Sequence, residues 1–258
     1  MAEEKNPKAL SCAECAGGAG LDFDFTMAFQ PIVNTTTHTI FAHEALVRGP
    51  RNEPAGQILD RVNAENRYRF DQACRVKAIQ TASELGIPCF LSINFLPNAV
   101  YRPELCIRTT LEAADRFGFP VERIIFEITE GEKVDDHAHL REIIHHYQQR
   151  GFLTAIDDFG AGYSGLNLLA EIQTDLVKLD MALIRNIDQD KGRRAIVRGI
   201  IQVCNDLAIR VIGEGIETRA ELETLQGFGV ELFQGYYFAR PAFRALAPVL
   251  QPEFGIPA

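Results

Sequence analysis

Six short apolar runs in this chain each end in a carboxylate or a carboxamide: Phe41 to Glu44, Phe90 to Asn94, Ile124 to Glu127, Leu153 to Asp158, Leu176 to Asp180 and Val211 to Glu214. An apolar run of that length bounded by turn residues reads as a buried parallel strand, and helical periodicity fills the intervals. A strand-then-helix unit repeated this often implies a sheet closed into a barrel or doubly wound, with the strand ends gathered on one face. The oxygen-bearing residues then converge there. Close carboxylates repel and are costly to desolvate, so such a cluster points to bound divalent cations.

Length agrees with one domain of catalytic size, since 258 residues, 47% of them hydrophobic, is near the roughly 250 typical of an eight-stranded α/β barrel. A net charge of -9 argues against a nucleic-acid polymer as partner, because such surfaces bind through unbalanced Lys and Arg. A small phosphorylated ligand stays compatible with it, since metal ions reverse the local field. No apolar stretch approaches the roughly 20 residues needed to span a bilayer, and the N-terminus has no signal-peptide core. The expected location is the cytoplasm, with no membrane partner.

Residues 1–22 read as a flexible N-terminal tail, Gly-rich as far as Gly20 and carrying Cys12 and Cys15 in a Cys-x-x-Cys. That spacing suits half a zinc site or a redox pair, but no second pair follows nearby, so a quiet tail and a sensing tail both stay open. Cys74, Cys89, Cys106 and Cys204 fall in or beside predicted elements, where Cys acts as a small apolar residue. Residues 23–258 read as one continuous domain. It begins with a hairpin, Phe25 to Val33 and Thr39 to Val47 around the polar turn Asn34 to His38, which makes the first strand pair antiparallel. Helices are predicted at Gly56 to Leu85, Arg102 to Phe117, Asp135 to Arg150, Gly165 to Glu171, Lys191 to Leu207, Thr218 to Phe228 and Phe243 to Leu250. Thr218 with Glu221 forms a capping box, and Gly86, Gly118 and Gly151 follow helical stretches as left-handed caps do.

The densest segment is Ala155-Ile156-Asp157-Asp158-Phe159-Gly160-Ala161-Gly162-Tyr163-Ser164. Side chains alternate along a strand, so two successive aspartates reach one metal centre only where the strand is ending. Asp157 is placed to bridge two ions and Asp158 to serve one. A turn-forming Asp-Asp is the plainer alternative, and the five companion strand ends weigh against it. Glu127, flanked by bulky apolar residues, is expected to point into the barrel lumen, where a structural ion pair with Lys178 is the alternative to a ligand role. Asn94 alone reads equally as a turn cap. Carboxylates plus an amide, without a His or Cys cluster, suit Mg2+ or Mn2+ better than Zn2+. His145 and His146, adjacent on a predicted helix, read as solvated or packed.

Taken in order, these residues resemble the EAL domain family of cyclic di-GMP phosphodiesterases from about Phe25 to Phe243. The resemblance rests on Gln30-Pro31-Ile32, Glu44-Ala45-Leu46 with Arg48, Asn94-Phe95 before Pro97 and Glu127-Ile128-Thr129-Glu130. It continues through Asp157-Asp158-Phe159-Gly160, Gly162-Tyr163-Ser164, Lys178-Leu179-Asp180, Glu214-Gly215-Ile216-Glu217 and Gln234-Gly235-Tyr236. It implies a TIM-like (β/α)8 barrel whose first strand is antiparallel to the rest. It also implies metal ligands at Glu44, Asn94, Glu127, Asp157, Asp158 and Glu214, holding two Mg2+ or Mn2+ ions. Lys178 matches the lysine beside the attacking water, and Glu214 a glutamate that is either general base or metal-linked. Arg48 matches the arginine that meets a substrate phosphate, which guanidinium suits because it binds two oxygens at once. Gln30, Leu46, Asp180 and Gln234 match positions lining the nucleotide groove. Glu130 matches the glutamate that holds the Gly-rich loop, and Glu217 is the second acid of its motif.

Gly49, Gly165 and Gly213 depart from the commonest family pattern, and none replaces a ligand. The Gly165 to Leu169 run and Phe238-Ala239-Arg240-Pro241 resemble the branch attached to blue-light flavin sensors, but no such sensor is encoded here and light control is not expected. The implied reaction is metal-assisted hydrolysis of cyclic di-GMP to linear pGpG, and the implied assembly a homodimer. Two rivals stand beside it: a non-catalytic cyclic di-GMP receptor, and a metal-dependent barrel hydrolase for another phosphodiester.

Overall fold

The computed structural model of the chain describes residues 21–100, 102–129, 137–162 and 165–249. Its first two strands, β1 (Thr26–Asn34) and β2 (Thr39–Arg48), pair antiparallel from Thr26 opposite Arg48 to Asn34 opposite Thr39. Asn34 shapes the turn, its Oδ1 accepting the Thr36 and Thr37 N–H groups at 2.9 Å each. The chain then alternates: α1 (Ala55–Leu59), α2 (Arg67–Glu84), β3 (Phe90–Asn94), α3 (Pro103–Cys106), α4 (Arg108–Phe117), β4 (Ile124–Thr129), α5 (His137–Gln149) and β5 (Leu153–Phe159). It continues through α6 (Gly165–Glu171), β6 (Leu176–Leu179), α7 (Met181–Ile184), α8 (Lys191–Asp206), β7 (Arg210–Gly213), α9 (Arg219–Gln226), β8 (Leu232–Phe233) and β9 (Ala242–Phe243).

Strands β2 to β8 run parallel, each bonded to the next, and β8 returns antiparallel to β1. The result is a closed eight-stranded mixed barrel, with β9 lying along β1 as an extra strand. The TIM-like architecture with an antiparallel first strand is therefore the observed one.

Alternation along the strands explains both the filling of the barrel and the position of its polar end. Ile32, Ala42, Ile125, Ala155, Leu176, Ile212 and Leu232 form a buried cluster of their own, distinct from the larger core shared with the helices. They plug the lumen. One period onward along the parallel strands the same face presents Glu44, Glu127, Asp157, Lys178, Glu214 and Gln234, and in the reversed β1 the step back from Ile32 is Gln30. Seven of the eight barrel strands thus deliver a polar group at the same end.

Several predicted helices differ in extent. The expected helix at 56–85 is broken between α1 and α2, where Asn63 and Asn66 side chains capture backbone groups: Asn66 Oδ1 accepts Asn63 N–H at 2.8 Å and Asn66 Nδ2 donates to Arg61 O at 2.9 Å. Such local bonds compete with the helical ladder. Among the described residues, 243–249, the helix expected at 243–250 does not form. Ala242 and Phe243 pair with Phe29 and Ala28 instead, and Arg244 N–H continues to Met27 O at 3.1 Å. Pro248 also cannot donate to a helical ladder. The Thr218 and Glu221 capping box is present in full, and Gly118 closes α4 in the left-handed region at φ 67°. No helix among the described residues is long and apolar enough to cross a membrane.

Candidate functional site

Lys178 stands at the centre of the polar layer, its side chain 1% exposed. Its Nζ lies 2.7 Å from Glu214 Oε1, 2.9 Å from Glu127 Oε2, 2.9 Å from Asp157 Oδ1 and 3.4 Å from Glu44 Oε2. The ion pair between Glu127 and Lys178 is therefore real, but the ammonium is shared among four acids. One positive charge facing four carboxylates leaves the layer with excess negative charge. Burial pushes Glu127 up to about 8, with Lys178 opposing and Glu44 and Asp157 adding to the rise. Burial likewise raises Glu214 well above the usual carboxylate range. Lys178 holds its proton more tightly than an exposed lysine, because the surrounding carboxylates outweigh the burial that disfavours its charge.

Neutral groups fix the acids from behind. Ser92 Oγ donates to Glu127 Oε1 at 2.5 Å, and Asn94 Nδ2 donates to Glu44 Oε1 at 2.9 Å. Gln234 Nε2 donates to Glu44 Oε2 at 2.7 Å and to Gln30 Oε1 at 3.3 Å, while Gln30 Nε2 donates to Ala239 O at 3.1 Å. Glu44 is thus held by amides from β3 and from the residue after β8. With Nδ2 donating, Asn94 keeps its carbonyl oxygen as the group that suits a cation.

The adjacent aspartates both reach the layer because the backbone turns over between them: Asp158 adopts φ 54°. Asp is among the few L-residues that visit this region routinely, and strained conformations of this kind cluster at functional sites. Carboxylate oxygens of Glu44, Glu127 and Asp157 lie within 4.8 Å of one another, and so do those of Asp157, Asp158 and Glu214. Asp157 belongs to both groups. Burial raises Asp158 to about 6, helped by Asp157 and Asp180. An all-oxygen donor set, divided into two groups with one shared carboxylate, fits two hard divalent cations.

The acids open onto a cavity of about 220 Å³, lined by Gln30, Glu44, Asp158, Asp180, Glu214, Glu217 and Gln234 together with Met181, Gly215, Gly235 and Tyr236. Leu46 and Asn94 line a second, largely apolar cavity of about 560 Å³ on the β2 and β3 side. Asp180 also caps α7, accepting Ala182 N–H at 2.8 Å. Glu217 pairs with Arg185 at 2.9 Å. Arg48 lines neither cavity; its Nη1 donates to Val47 O at 2.7 Å. Glu130, Tyr163, Ser164, Cys12 and Cys15 lie outside the described residues.

Sequence reasoning passed over Ser92, Tyr236 and the buried Asp71 and Arg75 pair on α2. Ser92 was detectable as the same-face neighbour of Asn94. Asp71 and Arg75 were detectable as opposite charges one turn apart on an apolar helix face. Tyr236, 45% exposed with Arg240 stacked 4.1 Å from its ring centre, carried no signal of its own beyond its motif.

Residues 21–241 match the EAL domain family. A standalone versatile EAL protein of Vibrio cholerae O395, solved with cyclic di-GMP bound, is 59% identical, with a TM-score of 0.88 across 91% of this chain and 99% of that one. BlrP1 of Klebsiella pneumoniae, solved at pH 6 with manganese and cyclic di-GMP, is 34% identical, with a TM-score of 0.82 across 87% of this chain and 57% of that one. The blue light- and temperature-regulated antirepressor BluF of Escherichia coli K12 is 31% identical over 227 residues, 88% of this chain and 56% of the relative. Two other curated relatives are named probable cyclic di-GMP phosphodiesterase PdeG, of Escherichia coli K12, and cyclic di-GMP phosphodiesterase PdeB, of Shewanella oneidensis. The chain spans about half the length of the curated relatives it matches, or less.

Proposed function

The chain belongs to the EAL domain family, and on that footing we propose that it hydrolyses cyclic di-GMP to linear pGpG with two divalent cations, Mg2+ or Mn2+. The observation that carries this reading is the pair of three-carboxylate groups sharing Asp157. Glu44, Asn94, Glu127, Asp157, Asp158 and Glu214 would hold the ions, which when bound supply an acidified water and neutralise charge on the phosphoryl oxygens.

The chain's own groups do the rest. Lys178, held by four acids, offers N–H donors to the attacking oxygen and to negative charge growing nearby. Glu214, in direct contact with Lys178 at 2.7 Å, is placed either to take the proton or to ligate. Gln30, Asp180 and Gln234 line the smaller cavity and present hydrogen-bonding groups suited to a guanine edge or ribose, and Leu46 supplies apolar wall in the larger cavity. Arg48 reaches a phosphate by exchanging its bond to Val47 O for two phosphate oxygens. Glu217 steadies the loop after β7 through Arg185, and Glu130 is assigned the same service for the Gly-rich loop after Asp158. Residues 23–258 are taken as the catalytic domain behind the tail 1–22, acting as a homodimer in the cytoplasm.

The test is chromatography of products from cyclic di-GMP with and without Mn2+. Linear pGpG appearing only with metal supports the reading, and pGpG formed after exhaustive chelation overturns the two-ion mechanism. The second reading, a non-catalytic receptor, is favoured by the antirepressor role that BluF carries in its name; cyclic di-GMP bound but uncleaved with Mn2+ present decides for it. Cleavage of a simple chromogenic diester with cyclic di-GMP untouched decides for a different phosphodiester.

A further inference from the structure

The ion pair between Asp71 and Arg75 is buried behind the barrel wall, and the proposed chemistry uses neither residue. Their side chains are 1% and 0% exposed, with Asp71 Oδ2 2.7 Å from Arg75 Nη2. Arg75 Nη1 donates to the Tyr147 hydroxyl at 3.0 Å, and its guanidinium carbon lies 5.3 Å from the Phe95 ring centre and 5.0 Å from that of Phe126. Phe95 follows Asn94 and Phe126 precedes Glu127, so the guanidinium rests on the outer side of the two strands that carry those acceptors inward. The other oxygen of Asp71 reaches the barrel backbone itself: Oδ1 accepts Leu96 N–H at 2.9 Å.

Buried ion pairs are poor stabilisers, and apolar side chains of similar volume commonly serve a core as well or better. An apolar replacement has no acceptor for Leu96 N–H. That amide sits at the point where β3 leaves the barrel, and the adjoining groups are also fixed: Phe95 N–H donates to Glu127 O at 3.0 Å, and Pro97 restricts Leu96 to its extended φ of -98°. The backbone leaving Asn94 is held at successive residues, and Asp71 supplies a hold that comes from a side chain. We propose that Asp71 is a positioning residue for Asn94, acting through the Leu96 amide, with Arg75 holding the Asp71 carboxylate in place. The inference rests on the metal reading above. Partners that orient metal ligands from outside the coordination sphere commonly change metal affinity 10–100-fold when removed.

The test is titration calorimetry of Mn2+ alone into the full 258-residue chain, with a melting curve for each variant. Asp71→Leu/Arg75→Met removes both charges together and leaves no orphaned ion. It is expected to melt cooperatively while binding Mn2+ about 10–100-fold more weakly. Asp71→Asn/Arg75→Met also lacks both charges but keeps an oxygen for Leu96, and is expected to bind within about 3-fold of the unsubstituted chain, well short of the 10–100-fold loss. Equal Mn2+ affinity in Asp71→Leu/Arg75→Met overturns the inference. Equal weakening in Asp71→Asn/Arg75→Met also overturns it, and that variant decides alone if the first does not fold. Failure of the unsubstituted chain to bind Mn2+ overturns the metal reading itself, an outcome distinct from the other two.

Discussion

Lys178 carries one positive charge into a ring of four carboxylates, and that asymmetry makes its removal informative. Breaking a buried charge cluster by deleting one partner costs about 3–5 kcal/mol, because the remaining charges lose their compensation. Lys178→Met is therefore expected to lower the melting temperature of the chelated chain by about 6–20 °C, at about 2–4 °C per kcal/mol for a domain of this size. Mn2+ added to the variant should recover much of the loss, since a divalent ion replaces the missing charge. A melting temperature unchanged by the substitution would show that the four acids do not depend on the ammonium. Gly235 offers a second residue-level test of a different kind. A Cβ there would stand 2.1 Å from Ile216 O and 2.3 Å from Ile216 N, both backbone atoms that cannot rotate away. Gly235→Ala must displace the chain next to Gln234, whose amide holds Glu44 at 2.7 Å. Overpacking of this sort costs about 1–3 kcal/mol, so a fall in melting temperature with a still larger fall in turnover is expected; a turnover loss no greater than the stability loss would separate Gln234 from the site.

At the scale of elements, the loops above the barrel are tied by Glu221, the first-turn acid of α9. It is 1% exposed and accepts N–H groups from Glu217 at 3.0 Å, Thr218 at 3.1 Å and Asn186 at 3.1 Å, with Arg185 Nη1 at 3.3 Å. Burial works against its ionisation, but these donors outweigh it and hold its pKa below the ordinary 4.5. A depressed carboxylate stabilises the fold above its unfolded pKa, and that contribution fades as pH falls through the folded value. Glu221→Gln is therefore expected to cost about 1–3 kcal/mol near pH 7, with the gap from the parent closing as pH drops below about 4.5, the unfolded value. Denaturant titrations at several pH values check this, and a gap constant down to pH 3 would contradict it. The capping box was readable because Thr218 and Glu221 bond to backbone only a few residues away. Elements governed by distant partners were less readable. β8 consists of Leu232 and Phe233 alone and is defined by its neighbours β7 and β1. The apolar run after Pro241 became β9 because β1 offered an unpaired edge, a fact no local pattern contains. The break before α2 was in principle visible in Asn63 and Asn66, but only as a competition whose outcome depends on packing.

The molecule as a whole converts a sequence period into a site. An apolar plug residue is followed one inward step later by a polar one on strand after strand, so closing the barrel brings Glu44, Glu127, Asp157, Lys178 and Glu214 together without any local segment containing the cluster. This is why the acids could be picked from strand ends, whereas the 220 Å³ cavity, the sharing of Asp157 and the resting place of Arg48 depend on how the ring closes. A cation held at this site would also couple to stability across the whole barrel. The acids arrive from β2, β4, β5 and the segment after β7, so a cation bound among them joins parts of the chain that separate on unfolding. Binding to the folded state alone adds about 2.7 kcal/mol at a ligand concentration 100 times the dissociation constant. For a domain of this size that is about 5–10 °C in melting temperature, at about 2–4 °C per kcal/mol. Saturating Mn2+ is expected to raise the melting temperature by that amount over the chelated chain, and Mg2+ to act in the same direction. In Glu44→Ala/Asp157→Ala, which removes one acid of the first group and the acid shared by both, the rise should vanish while the barrel still melts cooperatively. A rise of equal size in that variant would locate the binding elsewhere on the acidic surface and detach the cation from the mouth of the barrel.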